Sequence, residues 1–211
     1  TTRRPRPRLL WYAGVCIVVA CLLGLHLHNG LLLHAGVPRS IFLFYGIAAL
    51  FVGALYVVPP FNFYRRVGGE IVISEGLGMV PVLGAYLVQV GDITRTVYLA
   101  SLPLIVATGL WVWLDELAGR AEDEKAGRRT MVIDFGPRFS GRYGVLALSV
   151  LWFATLLLAV VSASISPLAL IALLTVGLVW RIVTVSWNEY SSVARMVEIR
   201  KNAFVLHLAT C

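Results

Sequence analysis

Residues 96–114 read TVYLASLPLIVATGLWVWL, and residues 115–136 read DELAGRAEDEKAGRRTMVIDFG. The first string has no charged side chain and is about as long as the ~20 residues needed to cross the hydrocarbon core of a bilayer. The second holds five of the chain's 11 acidic residues (Asp115, Glu116, Glu122, Asp123 and Glu124) within ten positions, with Lys125, Arg128 and Arg129 directly after. An acidic cluster at the mouth of a hydrophobic helix is unfavourable unless it faces water or binds something. A divalent cation carrying a phosphate-bearing substrate would suit it, because hard oxygen ligands favour magnesium.

Working outward, the composition points the same way. Hydrophobic residues make up 59% and charged residues 14%, with a mean hydropathy of +0.83. Soluble domains carry about a quarter charged residues, so the expected fold is all-α, a polytopic transmembrane helix bundle forming one domain over residues 1–211. The net charge of +7 is not a nucleic-acid signal, because the basic residues sit between apolar runs, where they set topology. Cys16, Cys21 and Cys211 lack metal-ligand spacing, and His26, His28 and His34 read as interfacial residues near a span end, with no carboxylate close in sequence.

Six full spans are expected, at Leu9–Leu27, Ser40–Val58, Glu70–Val90, Thr96–Leu114, Tyr143–Ala163 and Leu168–Val185, with a seventh beginning at Lys201. The second span is stopped by Pro59 and Pro60; the third is interrupted by Gly76, Gly78, Pro81 and Gly84. The chain lacks an initiator Met and stops within an apolar run, so both ends are expected to be incomplete. If the basic arm Thr1–Arg8 is cytoplasmic, only Arg39 and Arg95 of the 18 Lys and Arg fall on the other side. The Tyr56–Glu70 loop and the acidic stretch then share one face of the membrane and can form one site.

With Asp115–Ala126 as a helix continuing the fourth span, Asp115, Glu116, Glu122 and Asp123 all lie within one turn of Gly119. These four are the candidate metal ligands. Asp115 and Asp123 are about 12 Å apart along the axis, too far to share one ion unaided. Each could hold its own magnesium, or Glu116 and Glu122 could reach inward over the glycine. Arg128 and Arg129 would offer fork-like donors to diphosphate oxygens. The bland alternative is a solvated charged loop held by pairs such as Asp123–Arg128.

The stretch resembles the second aspartate-rich motif of the UbiA superfamily of intramembrane prenyltransferases. That motif is Asn-x-x-x-Asp-x-x-x-Asp followed by Ala-Gly, two basic residues, Thr and a later Gly; Asp123, Ala126, Gly127, Arg128, Arg129, Thr130 and Gly136 stand at matching places. Upstream, Tyr56, Pro59-Pro60-Phe61, the pair Arg65-Arg66 and Gly69-Glu70 match a second family pattern. Gly84–Gln89 is similar to the dihydroxynaphthoate branch of menaquinone biosynthesis.

The resemblance implies nine membrane helices around a central cavity, where magnesium holds a prenyl diphosphate whose ionisation yields an allylic carbocation that alkylates an aromatic acceptor. By position it implies Asp123 as a magnesium ligand, Asp115 at the family's Asn, Tyr56 facing the cation, and Arg128 with Arg65 or Arg66 at the diphosphate; Glu70 and Arg129 join these as substrate-binding candidates. It further implies a multi-pass protein of a bacterial or archaeal cell membrane with its site facing the cytoplasm. Two departures stand out. The family's middle Asp falls on Gly119, and the first aspartate-rich motif is expected before residue 1. Gly119 favours a second reading, a catalytically degenerate relative acting as a membrane scaffold or lipid-binding protein. A transporter or channel is the third reading, disfavoured because the interiors of the first, second and fifth spans carry no ionisable residue, with Glu75 and Arg181 the nearest candidates.

Overall fold

The computed structural model describes residues 7–34 and 39–211. These form helices α1 (Pro7–His34), α2 (Arg39–Val57), α3 (Gly69–Val90), α4 (Arg95–Lys125) and the short α5 (Met131–Phe135). After them come α6 (Pro137–Val161), α7 (Pro167–Glu189) and α8 (Val193–Thr210). No strand occurs among the described residues, and the fold is an all-α helix bundle, as its composition dictates. Among the described residues four helices, α3, α4, α6 and α7, are long and apolar enough to cross a membrane, while α2 offers a shorter apolar run, Leu43–Val57. Arg3, Arg4 and Arg6 of the basic arm, residues 35–38 and the side chains of His28 and His34 lie outside the described residues.

The helices differ from the sequence reading in several places; α6 starts at Pro137 rather than Tyr143 and α7 runs on to Glu189. Helix α1 continues past Leu27 to His34. Helix α3 is unbroken despite its glycines and Pro81, because intramembrane helices satisfy their own backbone and neighbours absorb a lost bond. Helix α8 begins at Val193 rather than Lys201. Its charges are paired rather than looped out: Arg195 bridges Glu189 at 2.9 Å and Glu198 at 2.7 Å, and Glu198 also meets Arg181 of α7.

Helix α4 is the axis, packed by α3, α6 and α8. Without a hydrophobic drive between helices in lipid, close approach of small residues does the packing. A Cβ on Gly78 would lie 2.6 Å from the Ile105 Cα, and one on Gly144 would lie 2.6 Å from the Trp113 ring. Trp113 donates its Nε1–H to the Ser140 carbonyl at 3.0 Å, where α6 opens with a π turn at Ser140–Gly144. The buried core runs through Leu110, Trp113, Leu114 and Leu117 of α4 to Trp152, Ile182, Met196 and Ile199. This packing fixes the end of α4 that carries the acidic stretch.

Candidate active site

As the sequence spacing predicts, the polar stretch continues α4 as helix to Lys125. It ends in a two-bond cap. The Arg128 N–H reaches the Asp123 carbonyl at 3.0 Å and the Gly127 N–H reaches Glu124 at 3.1 Å. Gly127 sits at φ +68°, the left-handed turn such a cap requires and glycine adopts without strain. This turn folds Arg128 back against the helix it has just left. Its Nη1 meets Asp123 Oδ1 at 2.7 Å and its Nη2 stands 3.9 Å from Glu116 Oε1. The Asp123–Arg128 pair of the bland alternative therefore exists, and it faces inward rather than into open solvent: the two side chains are 16% and 12% exposed. Burial opposes the Arg128 charge, but the hydrogen bond and charge of Asp123 more than offset it, so the guanidinium's pKa is raised.

The second loop closes over the first. The Arg129 N–H bonds the Arg65 carbonyl at 3.1 Å, Arg65 Nη2 reaches the Ala126 carbonyl at 3.4 Å, and Arg128 Nε donates to the Tyr64 carbonyl at 3.1 Å. Glu70 accepts from the Met131 and Gly68 N–H groups, one to each oxygen. Gly69 has to be glycine, since a Cβ would lie 2.2 Å from the Phe63 carbonyl oxygen. The Arg128 guanidinium carbon is 3.9 Å above the Tyr64 ring, and that ring meets Tyr56 edge-on at 5.9 Å. Below Tyr56 an apolar groove of about 250 Å³ runs between α2 and α3, lined by Val52, Gly53, Val72, Gly76 and Leu77.

The candidate residues separate. Glu116, Asp123, Arg128, Glu70 and Tyr56 come together; Glu116 is 8% exposed and its Oε2 has no hydrogen-bond partner. Asp115, rotated about 100° from Glu116 on the helix, is drawn to Arg200 of α8 at 2.5 Å. Glu122 is exposed. Arg129 turns its side chain outward to Asp134 at 2.9 Å, and Arg66 bonds the Pro60 carbonyl at 2.8 Å. Among the described residues no three His, Cys, Asp or Glu side chains already converge on one ion position. Sequence reasoning missed Tyr64; an aromatic next to Arg65, in a loop assigned to the same membrane face as Arg128, was the available signal.

The family model for UbiA prenyltransferases matches residues 2–206. The chain belongs to the UbiA prenyltransferase family. No curated protein and no solved structure gives a significant match. Membership makes this UbiA protein an enzyme that transfers prenyl groups, and with its four apolar helices an integral membrane protein. UbiA prenyltransferases generally depend on a divalent metal. The donor set here fits one. Glu116 and Asp123 bring two carboxyl groups to a half-buried mouth against the single guanidinium of Arg128, and Glu116 holds a buried oxygen with no partner. Magnesium needs only one or two protein carboxylates, with water and phosphate completing its shell.

Gly119 has room for the family's missing Asp: a Cβ there would stand 3.9 Å from Asp123 Oδ2, with nothing nearer. Gly119→Asp is expected to tighten magnesium about tenfold, read by titrating the metal against prenyl transfer. Unchanged affinity would mean the carboxylates do not act as one set.

Proposed function

We propose that the chain transfers a polyprenyl group from a prenyl diphosphate to a hydroxylated aromatic acceptor in quinone biosynthesis. The menaquinone-type dihydroxynaphthoate is the first candidate, and the reaction depends on magnesium at the cytoplasmic face of a bacterial or archaeal cell membrane. The observation that carries this reading is the partnerless buried Oε2 of Glu116 beside Asp123 and Arg128, with an apolar groove lined by Tyr56 between α2 and α3.

In this reading Asp123 and Glu116 would hold the magnesium, which neutralises charge developing on the leaving diphosphate. Arg128, pinned from below by the Tyr64 ring and along its edge by the Tyr64 carbonyl, presents its fork to diphosphate oxygens. Glu70 ties the two loops rather than touching substrate, since both its oxygens are engaged by backbone N–H groups. Tyr56 turns an aromatic ring toward the head of the groove, where an allylic cation gains from the π face. The groove's apolar walls keep water from that cation. Asp115 and Glu122 have no part in this shell as placed.

A scaffold-like, inactive relative is the second reading, favoured by Gly119. The two separate when full-length protein in lipid nanodiscs is given radiolabelled farnesyl diphosphate with 1,4-dihydroxy-2-naphthoate or 4-hydroxybenzoate. Label should enter the acceptor with magnesium and cease with EDTA. No transfer to any hydroxylated aromatic would leave the scaffold reading standing.

A further inference from the structure

Helices α4 and α8 run antiparallel and meet in three rungs that descend from the acidic stretch into the bundle. Asp115 pairs with Arg200 at 2.5 Å, Trp111 packs on Phe204 with ring centres 5.2 Å apart, and Thr108 Oγ1 meets His207 Nδ1 at 3.1 Å. On α4 the rungs share a stripe with Gly119, at spacings of three and four residues. The lowest rung lies about 10 Å below Asp115 at 1.5 Å per residue.

The hydrogen bonds fix what this histidine offers. The Thr108 hydroxyl has one proton, which it donates to the Leu104 carbonyl at 2.7 Å. Toward His207 it can only accept, so Nδ1 carries the hydrogen. In the neutral ring Nε2 is then a bare acceptor. It has no partner among the described residues. The ring is half-buried and flanked by two aromatic faces, Trp111 at 5.9 Å and Phe204 at 6.3 Å. An acceptor nitrogen between aromatic walls is complementary to a flat ring bearing a hydroxyl.

We infer that His207, aligned by Thr108 and walled by Trp111 and Phe204, binds the aromatic acceptor by taking a hydrogen bond from its ring hydroxyl at Nε2. Thr108 is a positioning residue that sets the tautomer. This rests on the prenyltransferase reading, and the substrate it concerns is the acceptor, whereas the carboxylates and Arg128 concern the diphosphate.

The test is equilibrium binding and steady-state kinetics of the full chain in nanodiscs, using 1,4-dihydroxy-2-naphthoate as the acceptor probe and farnesyl diphosphate as the donor. His207→Leu should weaken naphthoate binding and raise its KM about tenfold, the loss of one hydrogen bond. The KM for farnesyl diphosphate should stay within about twofold. Thr108→Val keeps the imidazole but frees its tautomer, and should move the naphthoate KM the same way by a smaller factor, with Thr108→Ser restoring it. Unchanged naphthoate binding in His207→Leu, or a shift confined to farnesyl diphosphate, overturns the inference while wild-type transfer persists. Should the wild type bind neither probe, the prenyltransferase reading itself fails, and this one with it.

Discussion

Asp123→Asn is expected to lower prenyl transfer by about 100-fold or more while the helical content stays that of the wild type. The amide has the shape of the carboxylate and still offers Arg128 an oxygen, so the helix cap and the turn back through Gly127 survive. What it lacks is the charge. Removing one preorganised electrostatic partner of a developing anion typically costs about 3 kcal/mol of barrier, which corresponds to roughly 100-fold in rate. Glu116 alone would also bind magnesium more weakly, so raising the metal concentration should recover part of the loss. Initial rates across a magnesium series, with far-ultraviolet circular dichroism on the same sample, check both halves. A rate within threefold of wild type would remove Asp123 from the metal shell.

Gly78→Val is expected to lower the thermal unfolding midpoint in detergent by about 5 °C and to reduce transfer alongside it. A Cβ at this position falls 2.6 Å from the Ile105 Cα and 2.9 Å from its nitrogen. Both are backbone atoms of α4 and have no rotamer to move to, so α3 must shift. Overpacking of this kind costs about 1–3 kcal/mol, worth a few degrees per kcal/mol in a domain of this size. The shift propagates, because Glu70 is two turns toward the mouth on the same helix and its two backbone bonds hold the Met131 and Gly68 loops together. Gly177→Ala is the control, since a Cβ there meets nothing within 4 Å. Equal midpoints for the two variants would mean that α3 and α4 are not in intimate contact at this level.

The bundle was legible because its signal is one of composition and length: uncharged runs of span length bounded by Pro, Gly and basic residues leave few alternatives. The helical extension of α4 was also legible, since nothing in residues 115–125 except Gly119 opposes helix. What spacing could not give was rotation. Asp115, Glu116, Glu122 and Asp123 are equivalent on paper, within one turn of Gly119. Tertiary packing then sends Asp115 to Arg200 and leaves Glu122 outside, while Glu116 and Asp123 turn to Arg128. The start of α8 was misplaced for a related reason. Arg195, Glu198 and Arg200 look like loop residues until Glu189, Arg181 and Asp115 are brought against them. Tyr64 was hidden because a stack between two loops depends on how the loops close, which the Arg129–Arg65 backbone bond decides.

The proposed grip is one in which carboxylates of α4 and one clamped arginine would hold a metal-bound diphosphate at the mouth of an apolar groove. Equilibrium binding of radiolabelled farnesyl diphosphate to the full chain in nanodiscs, with magnesium and with EDTA, tests it without depending on any acceptor. Binding that tightens by tenfold or more with magnesium in the wild type, and loses that gain in Asp123→Asn, is the result expected. Equal binding with and without the metal, or a metal effect that survives in Asp123→Asn, would contradict it.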